Sequence, residues 1–183
     1  WDLGLGTCWL GGIFSRGQFA RGLSLGEGEL LPAVSPVGPA AGGLHLVDSV
    51  IRFGAGSSRR RAWSELFCDG DWKHPLPEDQ AGALAGCLEA VRRGPSASNR
   101  QPWRLLREGP GGPVHLFLRR SPGYLRLASV DLQRADMGIA MAHFELVARE
   151  AGIRGSWAVE QPPVGSAAGQ ALYVATWRDR GDG

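Results

Sequence analysis

Ten consecutive residues constrain this chain more than any others: Gly94-Pro95-Ser96-Ala97-Ser98-Asn99-Arg100-Gln101-Pro102-Trp103. They follow a helical pattern and precede a strand pattern. Gly94 is expected to stop the helix, because glycine takes φ > 0 just past a helix end without steric cost. Pro95 and Pro102 fix φ and each remove a backbone donor. Between them, Ser96, Ser98, Asn99 and Gln101 offer hydroxyls, amides and backbone N–H groups to one small region. The commonest use of a Ser/Asn cluster is a solvated turn. This one is followed directly by Gln-Pro-Trp and then by the apolar pair Leu105-Leu106.

The surrounding patterns predict the elements. Ala83, Leu84, Cys87, Leu88 and Val91 keep helical spacing, with Glu78-Asp79 at the favourable acidic end and Arg92-Arg93 at the basic end. Residues 103–107 and 114–118 read as strands joined by the Gly-Pro-Gly-Gly turn at 109–112, and 171–177 reads as a last strand. Residues 131–151 form the longest helical pattern, stopped by Gly152, with Ala135, Ile139, Ala140, Phe144, Val147 and Ala148 as its apolar stripe. Upstream, 17–31 suggests a short helix ending near Glu29, 31–37 a strand, 46–53 a short helix, and 68–77 a loop. These patterns predict an α+β fold, a mostly antiparallel sheet flanked by helices around a long buried central helix.

Composition narrows the function. At 183 residues the chain can bury one sizeable core. A formal net charge of +2 is too small to imply nucleic-acid binding by electrostatics alone. Lys73 is the sole lysine among the 20 basic residues, a bias best read as that of a genome rich in G and C. Cys8, Cys68 and Cys87 are odd in number and share no metal-like spacing, which argues against a disulfide framework and for a reducing, cytoplasmic setting; no metal site is expected. No apolar run reaches membrane-spanning length. The chain opens without Met inside what reads as an ordinary element, as expected of a fragment whose upstream part is missing. His143 lies in the long helix, where a satisfied packing histidine outweighs a general acid.

Residues 94–103 resemble the PSA-x-N-x-QPW flavin loop of FMN-dependent nitroreductases. Gly4-Leu5-Gly6-Thr7-Cys8-Trp9-Leu10-Gly11-Gly12 is similar to the segment that completes the flavin site in that family, where backbone N–H groups face the reactive edge of the ring. The resemblance implies a nitroreductase-like fold, FMN as cofactor, NADH or NADPH as hydride donor, and a nitroaromatic, quinone or similar small-molecule acceptor. Leu10, Gly11 and Gly12 would approach the ring. Pro95, Ser96, Ala97, Ser98, Asn99 and Gln101 would form the facing loop, with Gln101 and Trp103 also bracing it. Arg59 and Arg61 would stand where the family grips the FMN phosphate with Arg-x-Ser-x-Arg; the spacing departs from that motif, so a solvated basic patch weighs equally. No side-chain catalytic group is required.

A weak repeat refines this resemblance. Gly4-Leu5-Gly6-Thr7-Cys8-Trp9 aligns with Gly152-Ile153-Arg154-Gly155-Ser156-Trp157, and each is followed by a strand pattern. The chain thus resembles the internally duplicated, single-chain branch of the family. Residues 1–37 would end a first repeat, 38–45 would link, and 46–183 would form a second, making a pseudo-dimer within one complete chain. Leu10-Gly11-Gly12 corresponds to Ala158-Val159-Glu160, so the second turn loses its close-approach glycines. Two rival readings stay open: a flavin- or nucleotide-binding relative without turnover, and an anionic-ligand or nucleic-acid module built on Arg59-Arg60-Arg61 with Trp63 and Trp72. No membrane partner is expected.

Overall fold

The computed structural model describes residues 3–11, 14–39, 58–122, 130–160 and 171–180. The expected helix at 46–53 lies outside them. A six-stranded sheet organises the second part of the chain. Its strands are β3 (Phe67–Asp69), β4 (Asp71–Pro75), β5 (Trp103–Arg107), β6 (Val114–Arg119), β7 (Gly155–Ala158) and β8 (Ala171–Asp179), in the spatial order β4-β3-β5-β6-β8-β7. Every pairing is antiparallel except β3 with β5, which sets Phe67 beside Leu105. A separate two-stranded ladder joins β1 (Leu5–Thr7) to β2 (Val37–Pro39).

Strand alternation sorts the residues of β5 and β6 to two faces. Trp103, Leu105, Val114, Leu116 and Leu118 belong to the main core, which is closed by α3 (Ala85–Arg93) and α4 (Leu132–Glu150). Leu106 and Phe117 face the other way, with Cys68, Trp72 and Tyr173 packed around them. The long helix is the expected one. Its buried residues, Gln133, Asp136, Met137, Ala140, Phe144 and Ala148, recur at the three- and four-residue spacing of one helix face. Gly152 ends it at φ 74°, and the Ile153 N–H reaches back to the Ala148 carbonyl at 2.8 Å. That contact satisfies a carbonyl the helix cannot pair internally.

Several expectations need correction. Residues 68–77 are not a loop. Asp69-Gly70-Asp71 turns tightly between β3 and β4, with Gly70 at φ 71°. The Arg107 guanidinium clamps Asp69 through Nε at 2.9 Å and Nη2 at 2.7 Å, holding the turn against β5. Gly94 does not adopt positive φ; it sits at φ −51°. A Cβ there would lie 3.0 Å from the Val91 carbonyl oxygen and 3.7 Å from the Trp103 ring, so close packing is what calls for glycine. The helix over 78–93 is regular only from Ala85, after two 3-10 turns. Near the chain start, α1 spans Arg16–Leu23 and has no buried residue, and the strand expected at 31–37 shrinks to a bridge between Leu10 and Val34 followed by β2. The one-turn helix α2 (Trp63–Leu66) leads directly into β3.

Candidate functional site

The loop at 95–101 is strained and braced. Ser98, Asn99 and Gln101 take φ of 49°, 51° and 47°. Left-handed backbone in residues other than glycine is costly and persists where the surroundings enforce it, most often at functional sites. The enforcing contacts are visible. The Gln101 N–H donates to Ser96 Oγ at 2.9 Å, and the Asn99 N–H to the Ser96 carbonyl at 2.9 Å. The Asn99 amide donates to the Arg59 carbonyl at 2.9 Å. Gln101 Oε1 accepts the Arg61 N–H at 2.8 Å, while its amide donates to Asn99 Oδ1 at 3.1 Å. Gln101 is buried, so its side chain acts as the brace rather than as a ligand-facing group. Ser98 is exposed on the loop, and Ser96, Ala97 and Asn99 are half-buried.

The chain around Arg59–Arg61 is thus part of the loop's support. Arg60, read in the sequence only as the middle of a basic run, donates its guanidinium to the Arg93 carbonyl through Nε at 3.2 Å and Nη2 at 3.1 Å, and to Asn99 Oδ1 at 3.4 Å. It caps the end of α3, where unpaired carbonyls favour a cation. Arg59 offers its carbonyl to Asn99, as described above. Arg61 pairs with Glu65 at 3.2 Å and lines a basic cavity.

The first turns of α4 bring the two candidate halves together. The Ala97 N–H donates to Asp136 Oδ1 at 2.9 Å. One helical turn earlier, the Gly11 backbone packs on Leu132; a Cβ on Gly11 would lie 2.8 Å from the Leu132 side chain. Leu10 holds its place through reciprocal backbone hydrogen bonds with Val34 at 2.9 and 3.0 Å. Gly11 is therefore glycine where the turn closes on a helix, and its carbonyl accepts from Arg16. Gly12 lies outside the described residues. The corresponding second turn differs: Val159 is exposed, and Glu160 is held by Arg178 through Nη2 at 2.6 Å.

Asp136 is the residue that sequence reading missed here. It is 2% exposed, its Oδ2 has no partner among the described residues, and burial raises its pKa to about 6 against the opposing Ala97 hydrogen bond. A carboxylate in a helix interior reads as surface. Only the folded loop, 39 residues away in sequence, shows what it holds. His143 is half-buried in α4, as a packing histidine should be.

A six-stranded, mostly antiparallel sheet with a long helix packed beside a shorter one defines an α+β protein. The same architecture occurs in a solved structure of a putative nitroreductase from Thermotoga maritima, with a TM-score of 0.51 at 19% identity; the likeness covers 96% of this chain and 55% of that one. The chain belongs to the family described as Putative TM nitroreductase, whose sequence profile matches residues 1–148. It spans about half the length of the solved relative. No curated protein matches it. Among the described residues, no helix is long and apolar enough to cross a membrane.

Proposed function

We propose that this chain serves an FMN-dependent oxidoreductase, with FMN held between the 10–12 turn and the 95–101 loop. FMN would pass a hydride from NADH or NADPH to a nitroaromatic, quinone or similar acceptor. The observation that carries the reading is the strained loop, braced on one side by Arg59–Arg61 and seated with the Leu10–Gly11 turn on the first turns of α4. These residues fit a flat ring. Backbone of the 10–12 turn would donate to its polar edge, and Pro95, Ser96, Ala97 and Ser98 would present the loop to it. Asn99 and Gln101 would keep the loop's shape. Arg61 stands nearest to a phosphate-gripping role, with Arg59 as a support of the loop.

The paired ladders support an internal repeat. β1 with β2 and β7 with β8 each form an antiparallel ladder, and each opens just after a glycine at positive φ, Gly4 at 66° and Gly152 at 74°. Trp157 packs against Phe144 and Trp177, whereas Trp9, at the corresponding place, is exposed. We take the protein as a pseudo-dimer within one complete chain, cytoplasmic in location, with one FMN.

The test is quantitative. Asn99→Ala is expected to weaken FMN binding roughly tenfold or more, because removing its amide releases both Arg59 and Gln101, each bond being worth about 1 kcal/mol. His143→Ala should change it less than twofold. Equal or reversed effects in FMN titrations would count against the loop as the flavin site. Two flavins per chain, or tight binding that survives Gly11→Val, would count against a single site at the first turn.

A further inference from the structure

The strained loop rests on a carboxyl group. The Ala97 N–H donates to Asp136 Oδ1 at 2.9 Å, one residue before the left-handed backbone begins at Ser98. Asp136 is 2% exposed, and its Oδ2 has no partner among the described residues. We propose that Asp136 is a positioning residue that latches the 95–101 loop to α4: the protonated carboxyl keeps the loop closed on its ligand, and ionisation favours opening and release. The identity of that ligand as FMN rests on the function proposed above, whereas the latch itself does not.

The choice of aspartate calls for a reason beyond packing. Asp136 and Gln133 share the buried face of α4. Gln133 is neutral and engaged at both ends of its amide: Oε1 accepts the Ser121 N–H at 3.3 Å, and Nε2 donates to Ser121 Oγ at 3.1 Å. Asp136 carries a charge when ionised, and only its Oδ1 has a partner among the described residues. An asparagine would keep the Ala97 bond without burying a charge. A buried carboxylate short of hydrogen bonds is costly, and groups with perturbed titration concentrate at working sites. The place fits such a role. One turn earlier on the same helix, Leu132 meets Gly11 of the facing turn.

The direction of the latch follows from which influence dominates. Burial raises the Asp136 pKa to about 6, and the Ala97 hydrogen bond opposes the rise without cancelling it. With the loop open, water reaches the bare Oδ2 and the carboxyl returns toward its ordinary value of 3.8. The closed loop therefore binds the proton more tightly than the open one. Below about pH 4 both forms are protonated and closure is undisturbed. As pH rises through about 6, closure confines an unsolvated charge and weakens. A ligand that needs the closed loop takes up a proton on binding over this range, by the same linkage.

The other charged groups around Asp136 are engaged elsewhere. Asp131, at the start of α4, adds to the rise but is itself tied to Arg120 and Arg134. From the segment docked on the loop, Arg60 reaches the Arg93 carbonyl and Asn99, Arg61 pairs with Glu65, and Arg59 meets the loop through its carbonyl. Arg100 of the loop lines the basic cavity, and Arg16 is bonded to the Gly11 carbonyl. On α3, burial keeps Cys87 neutral with a pKa of about 11, and Glu89 is held by Arg92 and Arg93. His143 lies two turns farther along α4 and titrates alike in wild type and in a variant at 136.

Native-state hydrogen exchange of the ligand-free protein tests the latch. Corrected for intrinsic exchange, the opening of the Ala97, Arg100 and Gln101 amides should become about tenfold more frequent between pH 5 and pH 8, at a free energy below that of the Phe144 amide in the core of α4. In Asp136→Asn the loop should stay closed at both pH values. In Asp136→Leu, which removes the acceptor, it should open more often at both. A merely structural carboxyl would move loop and core amides together. Bound FMN should dissociate about fivefold faster at pH 8 than at pH 5 in wild type, relative to Asp136→Asn, a comparison that cancels the ionisation of the FMN phosphate. Loop exchange without pH dependence, an equal pH response in Asp136→Asn, or loop amides that open only with Phe144 would each overturn the proposal. Where Asp136→Leu does not fold, wild type against Asp136→Asn decides. A protein that binds no FMN yet shows the pH-dependent loop opening would sink the flavin reading and leave the latch standing; tight FMN binding without that opening would do the reverse.

Discussion

Phe144→Ala is expected to lower the stability of the fold by about 3–5 kcal/mol, the usual cost of emptying a buried aromatic site. Phe144 is fully buried on α4 and sits at the centre of an aromatic cluster, its ring centroid 5.3 Å from that of Trp157 and 5.1 Å from that of Trp177. The two tryptophans also meet each other at 5.6 Å, at an interplanar angle of 66°. These edge-to-face contacts add to the burial itself. The cluster joins α4 to β7 and β8, so the cavity left by alanine would open at the junction of three elements and could not collapse from one side. Trp157 also donates from its indole N–H to the Met141 carbonyl at 3.2 Å, which holds it to the helix and limits its ability to fill the gap. Guanidinium unfolding followed by tryptophan emission reads the effect directly. A loss below about 1.5 kcal/mol would show that this junction repacks freely.

Asp136→Asn is expected to stabilise the protein at pH 8 and to lose that advantage in acid. Burial, the dominant influence on this carboxyl, raises its pKa from 3.8 to about 6, with Asp131 adding to the rise and the Ala97 hydrogen bond opposing it. Between those two values the folded chain binds more protons than the unfolded one, so this group makes stability fall as pH rises. Above pH 6 the carboxylate destabilises the fold by up to about 3 kcal/mol, since each pKa unit corresponds to ~1.4 kcal/mol. Below pH 4 the group contributes nothing, because both states are protonated. Asparagine keeps an acceptor for the Ala97 N–H and removes the charge. The variant should therefore gain about 1–3 kcal/mol at pH 8 relative to wild type, with the gap closing by pH 4.5. Asp69, Asp131 and Glu89, all held below the usual carboxylate range by arginine hydrogen bonds, pull the other way in acid, and comparing variant with wild type cancels them. A difference that stays constant from pH 4.5 to 8 would contradict the buried charge.

Much of this architecture was legible because its signals are local. The apolar spacing of Ala140, Phe144 and Ala148 marked the long helix. The alternation around Trp103 and the Gly-rich turn at 109–112 marked β5 and β6. The β3–β4 hairpin was not legible, since Cys-Asp-Gly-Asp-Trp-Lys-His-Pro is poor in strand formers. It exists because Phe67 pairs with Leu105 and Asp69 meets Arg107, both partners 38 residues distant. The candidate site divides in the same way. Its loop was readable from Pro95 to Pro102, whereas the residues that hold or flank it were not. Arg60 read as part of a basic run, and Asp136 carried no signal of its own in the sequence. Each gains its meaning from a contact across the fold.

The bridge from Arg60 to the Arg93 carbonyl and to Asn99 has a consequence for how the molecule breathes. The left-handed turn at 98–101 stores conformational energy that its own local hydrogen bonds do not repay. It is retained while the 59–61 segment stays docked, since that segment supplies the Arg59 carbonyl and the Arg61 N–H to Asn99 and Gln101. Detaching 59–61 would therefore release the turn as well, and the two would open as one cooperative unit below the threshold of global unfolding. The amides of Arg61 and Gln101, 40 residues apart, would then exchange with solvent at a common free energy of opening. A ligand that seats on the turn would slow both together.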